Sequence, residues 1–308
     1  LNSHGIVAIR DREVFSQDLE RVIDAAQAVA IPADQKILHI LPQEFLIDDQ
    51  DGVKEPLGMS GVRLEAKVHL VTCAVNAAQN IEKCIRRCGL EVEDIILEQL
   101  ASSYSVLTDD EKELGVCVVD IGGGTTDIAV VNDGGVQGTK MFGIGGRAFT
   151  RSIERELGAE FEEAEEVKLT LGSNKIPQRT QAAAEGAIDK TLDVWINGVD
   201  LALSEFEKLD NLPHRLLLCG GGSSLDQMVA RLTKTQWYKD LPFTKRPTVS
   251  HIQPEQVSGI IDSTGSVTDH TFITAMGLLR VGLDTLGQND TSRPVGSVRE
   301  RIDRMLKV

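Results

Sequence analysis

Apolar residues recur at helical spacing over residues 16–30 (SQDLERVIDAAQAVA), where Leu19, Val22, Ile23, Ala26 and Ala30 share one face. Ser16 has the chemistry of an N-cap, Asp18 suits the first turn, and Pro32 follows the end. Residues 36–48 (KILHILPQEFLID) and 61–73 (GVRLEAKVHLVTC) read as strands, with Pro42 marking a bulge or an edge. Ala78, Ile81, Ile85 and Cys88 predict a second helix, with Arg86 and Arg87 in its last turn and Gly89 as its stop. A strand near DIILEQL (94–100) and a short helix ASSYSVL (101–107) come next. The polar stretch TDDEKELG (108–115) then reads as a domain boundary.

Beyond it, VCVVDIG and TDIAVVNDG predict a hairpin joined by a glycine loop, and Gly134 and Gly135 a further turn. FTRSIERELG and EAEEVKLTLG predict helices closed by glycine. A longer helix over 186–209 carries Ile188, Leu192, Trp195, Ile196, Val199, Leu203 and Phe206 on one face. RLLLCGGGSSLDQMVARL reads as buried strand, glycine turn and helix, and FITAMGLL (272–279) as a helix whose Ala275 and Gly277 allow close packing. Strands interleaved with amphipathic helices indicate an α/β protein.

Composition changes this picture little. The 308 residues are 41% hydrophobic and 26% charged, as in globular proteins. A net charge of −15 argues against non-specific nucleic-acid binding, because a polyanion is repelled. The five cysteines form no CxxC pair, and free thiols fit a reducing cytoplasm. Cys84 and Cys88, four apart on the second helix, lack a His or acidic partner for a metal and are expected in the core. No run of 18 apolar residues exists. The chain opens on Leu1 with LNSHGIVAI, which reads as the middle of a domain, so a segment upstream is expected.

The candidate chemistry centres on residues 116–135, VCVVDIGGGTTDIAVVNDGG. Without a Cβ, Gly122, Gly123 and Gly124 let backbone N–H groups converge on phosphate oxygens. Thr125 and Thr126 can donate further bonds, and Asp120 suits Mg²⁺, directly or through water. A tight hairpin needing positive φ angles explains the same glycines. A second strand runs into Gly220, Gly221, Gly222 and Ser223, a turn against which a base or ribose can lie. Glu165 and Lys168 are three apart on one helical face, as a surface ion pair or a ligand contact.

The order ASSYSVL, DIGGGTTD, AEEVK, CGGGSS, TAMGLL resembles the second half of the actin-like ATPase superfamily. Residues 31–72 (IPADQKIL to VHLVT) and 100–131 (LASSYSVLTDDEKELGVCVVDIGGGTTDIAVV) closely resemble its FtsA family, strongly over 1–135 and patchily over 136–270. The resemblance implies a two-lobed, ribonuclease H-like α/β fold with an FtsA-type inserted subdomain. Its parts would be the insert at 1–70, the rest of the first lobe at 71–108, and the second lobe at 109–270. Residues 150–214 would form the smaller part of that lobe, and 271–286 a returning helix. It implies ATP with Mg²⁺ as ligands, clamped between two halves. Gly122, Gly123, Gly124 and Thr125 would meet β/γ-phosphates, with Asp120 toward the metal. Gly145 and Gly146 would stand near the phosphates, Glu165 and Lys168 at the ribose, and Gly220, Gly221, Gly222 and Ser223 at the adenosine. Glu98 would orient attacking water, though Gln99 replaces a usual Pro. The early DxGT/S loop of the superfamily is absent, and is expected upstream.

The same resemblance implies a cell-division role at the cytoplasmic face of the membrane. Partners would be the C-terminal peptide of FtsZ, further copies of the chain in filaments, and other division proteins through the insert, where Met59, Ser60, Gly61 and Arg63 match best. The alternatives are a PilM-like adaptor of a pilus or secretion machine and, on the same fold, a phosphotransferase. Residues 287–294 read as a linker. In 295–308, Val295, Val298, Ile302, Met305 and Leu306 cluster on one helical face, and Arg299, Arg301, Arg304 and Lys307 add positive charge. That pattern fits an amphipathic helix on anionic lipid or one docked on the protein's own surface.

Overall fold

The computed structural model describes residues 1–104, 106–173, 175–206 and 209–287. The predicted linker, from residue 288 onward, and the predicted membrane helix lie outside them. The chain forms two compact units, one dominated by Leu1–Leu97 and the other by Glu98–Asp133 with Gly138–Arg280.

In the first unit, β1 (Asn2–Ala8), β2 (Gln35–Ile47), β3 (Gln50–Val53) and β4 (Arg63–Ala74) form an antiparallel sheet in the order β1-β4-β2-β3. Helix α1 (Ser16–Gln27) lies against it, burying Val22 and Ala26 among Ile40, Phe45, Leu64 and Val68. Its approach depends on Gly5, where a Cβ would fall 2.1 Å from the carbonyl oxygen of Val22. Pro42 produces the predicted bulge: the β2–β4 register shifts between Pro42 and Glu44.

Four local expectations are corrected. Ser16 is the first helical residue rather than the cap; Phe15 holds that place, its N–H donating to Asp18 Oδ2 at 3.0 Å. Helix α2 (Val75–Arg87) buries only Ala78, while Ile81 is 52% exposed and Cys84 and Cys88 are exposed rather than in the core. No strand forms near residue 94, where Leu97 N–H bonds to the His39 ring at 3.0 Å instead of to a ladder carbonyl. The stretch 108–115 is a helix, α4 (Asp109–Leu114), following the short α3 (Glu98–Ser102). Thr108 and Glu111 close it with a reciprocal capping box, and the division between units falls at Leu97.

The second unit is built on β5 (Val116–Ile121), β6 (Thr126–Asn132), β7 (Gly135–Phe142), β8 (Arg215–Cys219) and β9 (Thr248–His251), in the order β7-β6-β5-β8-β9. The β5–β6 pair is the predicted hairpin, whereas β5–β8 and β8–β9 are parallel. β5 is buried along its whole length, which is why it reads as a continuous apolar run. Helices α5 (Gly146–Leu157), α6 (Phe161–Leu169) and α7 (Gln178–Ser204) complete the core, where α7 buries Ile188, Leu192, Trp195, Val199 and Leu203. α8 (Asp226–Lys234) follows β8, and α9 (Ile273–Gly287) packs Gly277 onto Ala101, whose carbonyl oxygen would lie 1.8 Å from an added Cβ.

Candidate functional site

The loop between β5 and β6 is set from behind by α5. The N–H groups of Gly146 and Arg147, at the start of that helix, donate to the carbonyls of Gly122 at 2.9 Å and Gly123 at 2.8 Å. Each peptide plane is fixed by its own carbonyl bond, so the N–H groups of Gly123 and Gly124 are turned the opposite way. Among the described residues neither has an acceptor. None of Gly122, Gly123 and Gly124 takes a positive φ, so turn geometry does not explain them.

Space separates two kinds of glycine here. A Cβ on Gly145 would lie 2.5 Å from Gly122 O and 2.8 Å from Gly124 N, so Gly145 serves close backbone packing behind the loop. Gly220 has φ +80°, and a Cβ there would meet Asp120 Oδ1 at 2.3 Å. One on Gly222 would meet Ile121 O at 2.8 Å and Gly122 O at 3.0 Å, so the two glycine turns abut. Gly221 has no atom within 4 Å of an added Cβ, and Gly123 has only Arg147 Nε at 3.8 Å. Both face a cavity of about 550 Å³ that Gly146 and Gly222 also line. Their missing side chains leave room that no protein atom fills, and a flat or anionic ligand suits that room.

Glu165 and Lys168 stand on the same cavity wall. Lys168 is only 10% exposed and donates to Glu165 at 2.7 Å, Thr150 Oγ1 at 2.8 Å and Gly146 O at 3.2 Å. Burial pushes the Glu165 carboxyl up, but hydrogen bonds from Lys168 and Thr150 outweigh it and hold the group below its ordinary value. The pair is therefore an ordered fixture of the cavity and not a solvated surface pair.

Asp120 is buried beneath the loop and accepts from Thr274 Oγ1 at 2.6 Å, with the Cys219 thiol also bonded to it. It does not line the cavity. Among the described residues no group of three or more metal-ligating side chains converges, so a magnesium ion near Asp120 would draw most of its ligands from phosphate and water. Beside Asp120, desolvation and then the charges of Asp120 and Asp127 push the Glu98 carboxyl up to about 7. Asp127 is raised by burial as well, while bonds from Thr125 and Gln99 oppose that rise.

Two residues expected at a ligand do not line the cavity. Thr126 is fully buried, donating to Ile144 O at 2.7 Å and accepting from the Trp195 indole. Ser223 is fully buried too, its hydroxyl closing the turn onto Gly220 O at 2.7 Å. Ser224 lines the cavity in its place, bonded to His270 at 3.1 Å, and the Thr125 hydroxyl is engaged with Asp127. Sequence reasoning missed Arg147, Glu185, Asp226 and Thr271, all on the cavity wall. Arg147 carried a signal: a cation in the first turn of a helix opposes the helix dipole.

Comparison with known proteins bears on the family and the fold. Residues 1–72 match the family model described as "SHS2 domain inserted in FTSA", and residues 117–277, more than half the chain, match "Cell division protein FtsA". The cell division protein FtsA of Pseudomonas aeruginosa is 47% identical over 92% of this chain and 70% of its own length. That of Neisseria meningitidis is 37% identical over 98% of this chain and 74% of its own. Among solved structures, the PilM–PilN type IV pilus biogenesis complex superposes with a TM-score of 0.59 over 90% of this chain and 75% of that one. At 18% identity that likeness concerns the fold alone.

Proposed function

This chain belongs to the FtsA family of cell-division proteins, and on that premise we propose that it binds ATP and ties FtsZ filaments to the cytoplasmic membrane at the division site. Its architecture is the actin-like α/β fold carrying the FtsA-type insert. The observation supporting the nucleotide is the pair of open positions at Gly123 and Gly221, facing one cavity from two separate strand ends. In this reading the amides of Gly123 and Gly124 take phosphate oxygens, Glu165 and Lys168 the ribose, and Gly221 and Gly222 the adenosine. Magnesium, where bound, neutralises phosphate charge, with Asp120 holding it through water.

ATP acts chiefly as a conformational and polymerisation ligand in this proposal, and any slow hydrolysis would fall to Glu98 as proton acceptor, although that residue does not line the cavity. Self-association and contacts through residues 1–70 belong to the same reading. No described helix is long and apolar enough to cross a membrane, so attachment is assigned to residues 295–308, outside the described structure. Calorimetric titration of the full chain with ATP and Mg²⁺ tests the nucleotide. Pull-down with the C-terminal peptide of FtsZ tests the adaptor role and separates it from a PilM-like one. A chain that captures no FtsZ peptide is not the adaptor proposed here.

A further inference from the structure

Five charged side chains line the cavity: Arg147, Lys168, Glu165, Glu185 and Asp226. Three are acidic, and Lys168 is already tied to Glu165, Thr150 and Gly146. The guanidinium of Arg147 makes no hydrogen bond or ion pair with any described residue. It lies over the glycine loop, where a Cβ on Gly124 would fall 2.7 Å from Nη2 and one on Gly123 3.8 Å from Nε. Arg147 is the second residue of α5, and no acidic residue shares that first turn. A cation at a helix N-terminus is disfavoured by the dipole, and the loop N–H groups beside it add to the positive potential. An anion brought against Gly123 and Gly124 reverses both terms.

We infer that Arg147 is the residue that recognises the phosphate chain of the nucleotide and makes affinity grow with the number of phosphates, an inference resting on the nucleotide reading of this cavity. Lys168, held by three partners, serves the neutral part of the ligand. Arg147, held by none of the described residues, closes over the oxygens that the loop amides leave uncovered, and its planar fork suits two of them at once.

The test is a titration series on the full chain, wild type, Arg147→Gln and Arg147→Lys, with ATP, ADP, AMP and adenosine. Arg147→Gln is expected to weaken ATP roughly tenfold or more, the scale of a charge-assisted hydrogen bond, and to leave adenosine unchanged. Arg147→Lys should recover part of the loss, because it keeps the charge without the fork. An equal change for ATP and adenosine, or none for ATP, overturns the role of Arg147 while leaving the cavity reading intact. A wild-type chain that binds none of the four overturns the cavity reading and this inference with it. The adenosine titration also reports that each variant is folded.

Discussion

The indole N–H of Trp195 donates to Oγ1 of Thr126 at 2.8 Å, in a core where both side chains are fully buried. The Thr126 O–H in turn donates a hydrogen bond to Ile144 O, so one hydroxyl joins α7, β6 and the segment entering α5. Thr126→Val keeps the shape and leaves a buried donor, the Trp195 indole, and a partly buried acceptor, the Ile144 carbonyl, unpaired. The expected cost is about 1–3 kcal/mol, read as a lower urea midpoint. ATP affinity of the folded variant should match the parent, and a selective loss of ATP would return Thr126 to the ligand.

Gly220 and Gly221 are adjacent, yet substitution should separate their roles. Gly220→Ala forces a left-handed residue and a 2.3 Å approach to Asp120, and should lower stability by about 1–3 kcal/mol. Gly221→Ala meets nothing within 4 Å, so the thermal midpoint should hold while the new methyl group occupies ligand space. ATP affinity is the discriminating measurement. If Gly221→Ala binds ATP as the parent does, the ligand does not approach that turn.

These adjacent residues also show how far the sequence was legible. The glycine turns were visible because an apolar strand running into three glycines is rare, and β5 is buried along its whole length and β8 at all but Arg215. Which hydroxyl faced the cavity was not, because Ser223 and Ser224 differ only in their phase along a tight 3₁₀ turn. Thr126 opens the predicted second strand beside the glycines, where its hydroxyl was read as a ligand donor; pairing opposite Ile121 instead brings that hydroxyl to Trp195. The capping box of Thr108 and Glu111 was hidden in an acidic run that resembles a linker. Periodicity alone placed Ile81 and Cys88 on a helix face but could not say that little packs against it.

Glu98 predicts a pH dependence of stability. Partial desolvation and the charges of Asp120 and Asp127 push its carboxyl from 4.5 to about 7 although the residue reaches solvent, so the folded chain holds a proton that the unfolded chain has released between those values. Stability from this group is therefore highest at low pH and falls as pH rises through about 7. Glu98→Gln removes the ionising group and should be more stable than the parent at pH 8, with the gap closing as pH falls toward 4.5. Urea midpoints of both chains at pH 5 and pH 8 check it. A constant gap would mean that Glu98 titrates normally.

Membrane attachment should depend on assembly. If residues 295–308 form the proposed membrane helix, burial of their five aliphatic side chains would yield roughly 5 kcal/mol after ordering losses, a dissociation constant of about 0.2 mM for one copy. On that reading a single chain would detach readily, and linked copies would gain by effective concentration. Co-sedimentation with anionic liposomes should rise more steeply than protein concentration once ATP-dependent polymers form, and should weaken with salt because Arg299, Arg301, Arg304 and Lys307 supply the attraction. Deleting 295–308 should abolish sedimentation with liposomes, and strong binding by the dilute, unassembled chain would place the anchor elsewhere.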